Sequence, residues 1–82
     1  MIKMKVLGTG CAKCNKLFDE AQKAVEESGV DVDLAKIEKL DDIVSYGVMM
    51  TPAVVIDDEV KSSGKVPKVA QMAQWLTEAS NK

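Results

Sequence analysis

The sequence predicts an α/β fold of order β-α-β-α-β-β-α: a four-stranded mixed sheet with helices on both faces. Three observations predict it. Apolar residues switch along the chain between a spacing of two and a spacing of three to four. Gly29, Gly47 and Gly64 stand where those patterns stop. The run Ala53-Val54-Val55-Ile56 is continuously apolar, as in a strand covered on both sides.

Each element follows in turn. Residues 2–7 alternate, with Ile2, Met4 and Val6 on one side, and read as a strand. Gly8-Thr9-Gly10 reads as a flexible loop. Between Ala12 and Ser28, Cys14, Leu17, Phe18, Ala21 and Val25 form one helical stripe, and Gly29 suits the left-handed residue that ends a helix. Residues 30–35 alternate again, with Val30, Val32 and Leu34 facing one way. Leu40 to Tyr46 predicts a short helix with Leu40, Ile43 and Val44 inward, stopped by Gly47. After the strand 53–56, Asp57-Asp58 predicts a tight turn, and Glu59 to Ser62 its antiparallel partner. Pro67 suits the first turn of a last helix that runs to Ala79, with Val66, Val69, Ala73 and Leu76 at helical spacing. The helix between the first two strands is long enough for a crossover, so those strands should be parallel.

Composition narrows the function. The chain has 82 residues, 46% hydrophobic and 29% charged, which fits one globular domain over 1–82. Thirteen acids face eleven lysines, with no arginine and no histidine, for a net charge of −2. Such a chain offers no basic field for nucleic acid and no guanidinium fork for phosphate. Without an imidazole, Ser-His-Asp and Cys-His catalysis are excluded, and the commonest zinc ligand is missing. No apolar run approaches the ~20 residues of a membrane helix. The opening Met1-Ile2-Lys3-Met4-Lys5 mixes charge with apolar residues, unlike an export leader, so a cytoplasmic location is expected, and the protein is expected to act as a monomer.

Two cysteines remain, Cys11 and Cys14, and random placement would put them three apart only about once in 40 trials. They fall where the first strand gives way to the first helix. There the unpaired N–H groups and the positive end of the helix dipole favour a thiolate, and Lys13 adds positive charge. Residues three apart on a helical turn can close a disulfide with little backbone movement. Cys14 belongs to the apolar stripe and should be buried. Cys11 lies off it, after Gly-Thr-Gly, where core packing does not explain a thiol. The asymmetry makes Cys11 the nucleophile and Cys14 the resolving thiol. Static thiols and soft-metal binding are the competing readings. Met49 and Met50 precede Thr51-Pro52 and could form an apolar lip for a substrate, although one of them could equally fill the core. Pro52 alone would read as a trans proline that starts a strand. Tyr46 and Trp75 read as packing residues, and Asp57-Asp58-Glu59 as a solvated turn.

Taken together, Cys11-Ala12-Lys13-Cys14 opening the first helix, Thr51-Pro52 entering the third strand and Gly64 before the last helix resemble the thioredoxin-fold superfamily over almost the whole chain. Small archaeal and bacterial members are most similar. Their Gly-x-Gly-Cys-x-x-Cys and Gly-Val-x-x-Thr-Pro segments match Gly8 to Cys14 and Gly47 to Pro52. The resemblance implies a minimal thioredoxin-like fold, a cis Pro52 lying against the cysteine pair, and a substrate chain paired with the backbone of Thr51, with Gly10 and Met50 beside it. It implies a protein-disulfide oxidoreductase that needs no cofactor, acting on disulfide-containing proteins and recharged by a thioredoxin-reductase-like donor. Several positions depart from the larger thioredoxins. Gly10 replaces tryptophan, Ala12-Lys13 replaces Gly-Pro, and Lys5 stands where a buried aspartate would align. Ser62-Ser63-Gly64-Lys65 lacks the acid through which glutaredoxins hold glutathione. The alternative is a Cu(I)-type carrier of ferredoxin-like fold, which would use both thiolates as ligands. Those carriers usually have methionine where Thr9 stands, and they follow a β-α-β-β-α-β order.

Overall fold

The computed structural model describes residues 2–9, 12–48 and 50–81. The elements are β1 (Ile2–Leu7), α1 (Ala12–Ser28), β2 (Val32–Ile37), α2 (Leu40–Ser45), β3 (Ala53–Ile56), β4 (Glu59–Ser63) and α3 (Val69–Ser80). The strands form one mixed sheet in the order β2-β1-β3-β4. β1 runs parallel to β2 and antiparallel to β3, and β3 and β4 form a hairpin. This is the predicted α/β architecture.

Alternation on β1 sorts the molecule into two cores. Ile2, Met4 and Val6 point to one side, where they meet Val54 and Ile56 of β3, Leu17, Ala21 and Ala24 of α1, and Met72 and Leu76 of α3. Leu7 points to the other side, where it joins Val55 and Ala53 of β3 and Ile43 and Val48. Helices therefore cover both faces, and every residue of β3 is buried. That explains why its sequence is apolar throughout rather than alternating.

Several boundaries differ from the sequence expectation. β2 begins two residues later than predicted because its register is set by β1: Ile2 pairs with Val32 and Leu7 with Ile37, so the two strands match in length. The inward face of α2 is narrower than predicted. Ile43 is buried, but Leu40 and Val44 are 65% and 60% exposed. A helix of six residues makes fewer than two turns and can press only a narrow stripe on the sheet. Pro67 stands outside α3, which starts at Val69 after an extended Lys68. Pro67 is buried and Val66 packs on the first core, so this stretch is used for packing before the helix begins. Met72, which the stripe Val69, Ala73 and Leu76 passes over, is fully buried.

The turns follow backbone chemistry. Asp57 and Asp58 both have positive φ, 50° and 66°, as a two-residue hairpin between right-twisted strands requires. Asp57 is more than a solvated turn residue. Its carboxylate accepts the Lys3 N–H at 3.0 Å and its own N–H donates to the Lys3 carbonyl at 2.8 Å.

Candidate functional site

The C-terminal end of β1 organises the site. β1 stops at Leu7, Gly8 carries the chain past the sheet edge, and α1 begins at Ala12. Gly10 and Cys11 lie between them, outside the described residues, so the expectation for Cys11 as nucleophile and Gly10 as a substrate contact stands on the sequence. Cys14 lies in the first turn of α1 and is 0% exposed, as its place on the apolar stripe predicts. Lys13 is exposed and leaves its charge in solvent beside that turn.

Gly8 lies in the predicted loop after β1, yet its surroundings hold it in place. It is buried, and its N–H donates to the Ile37 carbonyl at 2.9 Å, which extends the β1–β2 ladder by one bond. A Cβ placed on Gly8 would overlap the Cys14 sulfur and lie 2.8 Å from the Cys14 Cβ. The strand end is thus packed directly on the thiol. The sequence pattern marks Gly8 only as part of the helix-start motif, because the reason for a glycine there is a contact made by the fold.

The second segment reaches the same end of the sheet by register. Leu7 pairs with Ala53, so the residue before Ala53, Pro52, comes in opposite Gly8 when the ladder is continued by one step. Pro52 is buried and the Thr51–Pro52 peptide is cis. Its carbonyl accepts the Gly64 N–H at 2.9 Å. Gly64 has φ 73°, and a Cβ there would meet Met50 Cε at 3.1 Å and Met50 Cβ at 3.2 Å. Gly64 therefore holds the proline segment from the β4 side, and Met50 lies over it, 64% exposed. Thr51 is exposed. Met49, the other half of the expected apolar lip, lies outside the described residues.

Thr9 and Thr51 line a shared groove of about 610 Å³ with Leu40, Ile43, Val44, Gly47 and Val48. Among the described residues its walls carry no charged side chain. The exposed apolar residues of α2 that the helical spacing had placed inward form one side of it.

Lys5 lies on the same sheet face. Its ammonium donates to the Tyr46 hydroxyl at 2.5 Å, bridging β1 to the residue that caps the C-terminus of α2. That hydrogen bond raises the Lys5 pKa above its ordinary value, and partial burial opposes the shift without cancelling it. Lys5 is thus a fixed cation at neutral pH and cannot serve as a base. Tyr46 packs against the second core while its hydroxyl holds Lys5.

Among the described residues no group of three or more His, Cys, Asp or Glu side chains comes together as a metal site, and no helix is long and apolar enough to cross a membrane. The copper-carrier alternative required β-α-β-β-α-β order. The observed order places α2 between β2 and β3 and ends in a helix, which is a different fold.

A mixed sheet of order β2-β1-β3-β4, a cysteine in the first turn after β1 and a proline at the start of the antiparallel central strand together define a class of small redox domains. The thioredoxin-domain family profile matches residues 2–77, and the chain belongs to that family. It is 37% identical over 76 residues to a thioredoxin of Methanocaldococcus jannaschii, an alignment spanning 93% of this chain and 87% of the relative. It is 35% identical over 77 residues to a thioredoxin of Methanothermobacter thermautotrophicus, spanning 94% of this chain and the whole of that relative. The protein is a thioredoxin-like redox protein of the oxidoreductase type.

Proposed function

We propose that the protein reduces or exchanges disulfides of other proteins through Cys11 and Cys14. The observation that carries this reading is the seat of Cys14: a sulfur buried in the first turn of α1, three residues after a second cysteine, with the end of β1 packed against it. A buried sulfur meets dissolved reagents poorly but remains available to a bond formed at the helix start.

In this reaction the Cys11 thiolate attacks one sulfur of a substrate disulfide. That bond breaks, the first substrate sulfur leaves as a thiolate and takes a proton from solvent, and a mixed disulfide remains on Cys11. Cys14 then gives its proton to solvent and attacks the Cys11 sulfur. The second substrate thiolate leaves and the Cys11–Cys14 disulfide forms, so two electrons have passed from protein to substrate. An electron donor of the thioredoxin-reductase class returns the pair to the dithiol. Lys13 favours the first thiolate electrostatically. Pro52 has no N–H to offer the sulfurs, and the backbone of Thr51, with Met50 and Gly10 beside it, receives an extended substrate segment.

The two cysteine variants test the roles. With a protein disulfide as substrate, Cys11→Ser should lose reduction altogether. Cys14→Ser should accumulate a mixed disulfide of protein plus substrate, read by mass spectrometry. Trapping through Cys14 in the Cys11→Ser protein would exchange the two roles, and trapping in neither variant would sink the reaction.

A further inference from the structure

The described glycines answer to two different needs. Gly29, Gly47 and Gly64 have φ between 67° and 77°, where a side chain strains the backbone. Gly8 is not among the positive-φ positions. Its backbone would accept alanine, and only the space in front of it would not, because that space holds the Cys14 sulfur and Cβ. Neither side yields easily. Gly8 is tied to Ile37 through its N–H, and Cys14 is on a helix anchored by buried Leu17 and Ala21. A side chain on a helix has few χ1 choices with which to step aside.

We propose that Gly8 is a positioning residue for the second thiol: its missing side chain seats the Cys14 sulfur at the end of β1 in the place from which it attacks the mixed disulfide. This rests on the disulfide-exchange reading. The new bond must close to about 2.05 Å with a narrow range of dihedral angles, so a displaced sulfur loses rate steeply. The cost falls on the second exchange, in which the Cys14 thiolate forms the bond to Cys11 and expels the substrate thiolate. The first exchange uses a different sulfur and is spared.

Dithiodipyridine separates the two steps, because each exchange expels one absorbing thiopyridone. At one equivalent of reagent, reduced Gly8→Ala should release the first thiopyridone within about twofold of the wild-type rate and the second at least about tenfold more slowly. The mixed disulfide should meanwhile be visible by mass spectrometry. A purely structural role would slow both releases together, in step with the folded fraction, and that result overturns the assignment. So does a second release at the wild-type rate. Melting of Gly8→Ala, Cys14→Gly and the double variant, all reduced, provides an independent reading, because Cys14→Gly removes both the sulfur and the Cβ that a Gly8 side chain would strike. Removing the Cys14 side chain should at least halve the drop in melting temperature caused by Gly8→Ala. If Gly8→Ala alone does not fold, the double variant should. Equal drops in both backgrounds, or a double variant that also fails to fold, overturn the contact. A wild type that releases only the first thiopyridone refutes the exchange function itself, and the positioning role with it, even if the melting coupling is present.

Discussion

The two faces of the sheet differ in how they are covered. On one, α1 and α3 pack against each other and over Met4, Val6, Val54 and Ile56, sealing the strands with long side chains from both helices. On the other, the six residues of α2 contribute Ile43 alone to the buried cluster and leave Leu40 and Val44 in solvent. The first face has the area to supply most of the folding free energy at about 25 cal/mol per Å² of apolar surface removed from water. The second face carries the groove that Thr9 and Thr51 line. Cys14 is carried by α1, a helix of the first face, while the apolar groove belongs to the second. A protein of this size can leave one face half-built because the other is complete.

Truncation should separate the faces most clearly. Leu17→Ala, in the second turn of α1 and fully buried, should cost about 3 kcal/mol, while Ile43→Ala should cost about 2 kcal/mol or less because a short helix can settle into the space. Denaturant titration of both reads the difference. An Ile43 cost equal to that of Leu17 would make the second face as strongly built as the first. A smaller effect is expected where the two faces meet at the β4 end. Gly64→Ala combines a positive φ with close contact to Met50, and should cost about 1–2 kcal/mol. Little change there would mean that Met50 moves aside freely and does not hold the proline segment. Smaller still are Leu40→Ser and Val44→Ser, which should stay within about 0.5 kcal/mol of wild type, since neither side chain is buried. A large loss at either would show that the open face is covered in solution.

The same contrast explains what could be read from the chain. α1 is legible to the residue because a 17-residue stripe facing a flat sheet repeats its signal several times. β3 is legible because burial on both faces removes every polar residue. α2 misleads. At six residues its spacing fits an inward Leu40 and Val44 as well as it fits the groove they line, and only the extent of the sheet beneath decides between the two. The start of β2 depends on its pairing with β1, a long-range contact that local alternation does not encode. In the site, the two cysteines and Thr51-Pro52 stand out by type and spacing. Gly8 does not, because the reason for a glycine there is a sulfur six residues away, brought in by the fold.

Lys5 and Tyr46 offer the finest test of the comparison, since their hydrogen bond is a polar tie between β1 and the end of α2. Its effect should be small, because Lys5 is partly exposed and solvent screens the pair. Its pH dependence is nevertheless defined. The Tyr46 hydroxyl raises the Lys5 pKa above 10.5, so the folded state holds this proton more tightly than the unfolded chain does. The stabilisation is therefore complete below the unfolded pKa and is lost as pH climbs through the folded one. Tyr46→Phe keeps the ring in the second core and removes only the acceptor. Wild type should melt slightly above Tyr46→Phe at neutral pH, keep that margin on the acid side, and lose it only above 10.5. Thermal melts of both proteins across that range give the answer. A margin that shrinks toward acid would point to a carboxylate as the real partner of α2. No margin at any pH would mean that Ile43 and Val48 hold α2 to the sheet by packing alone.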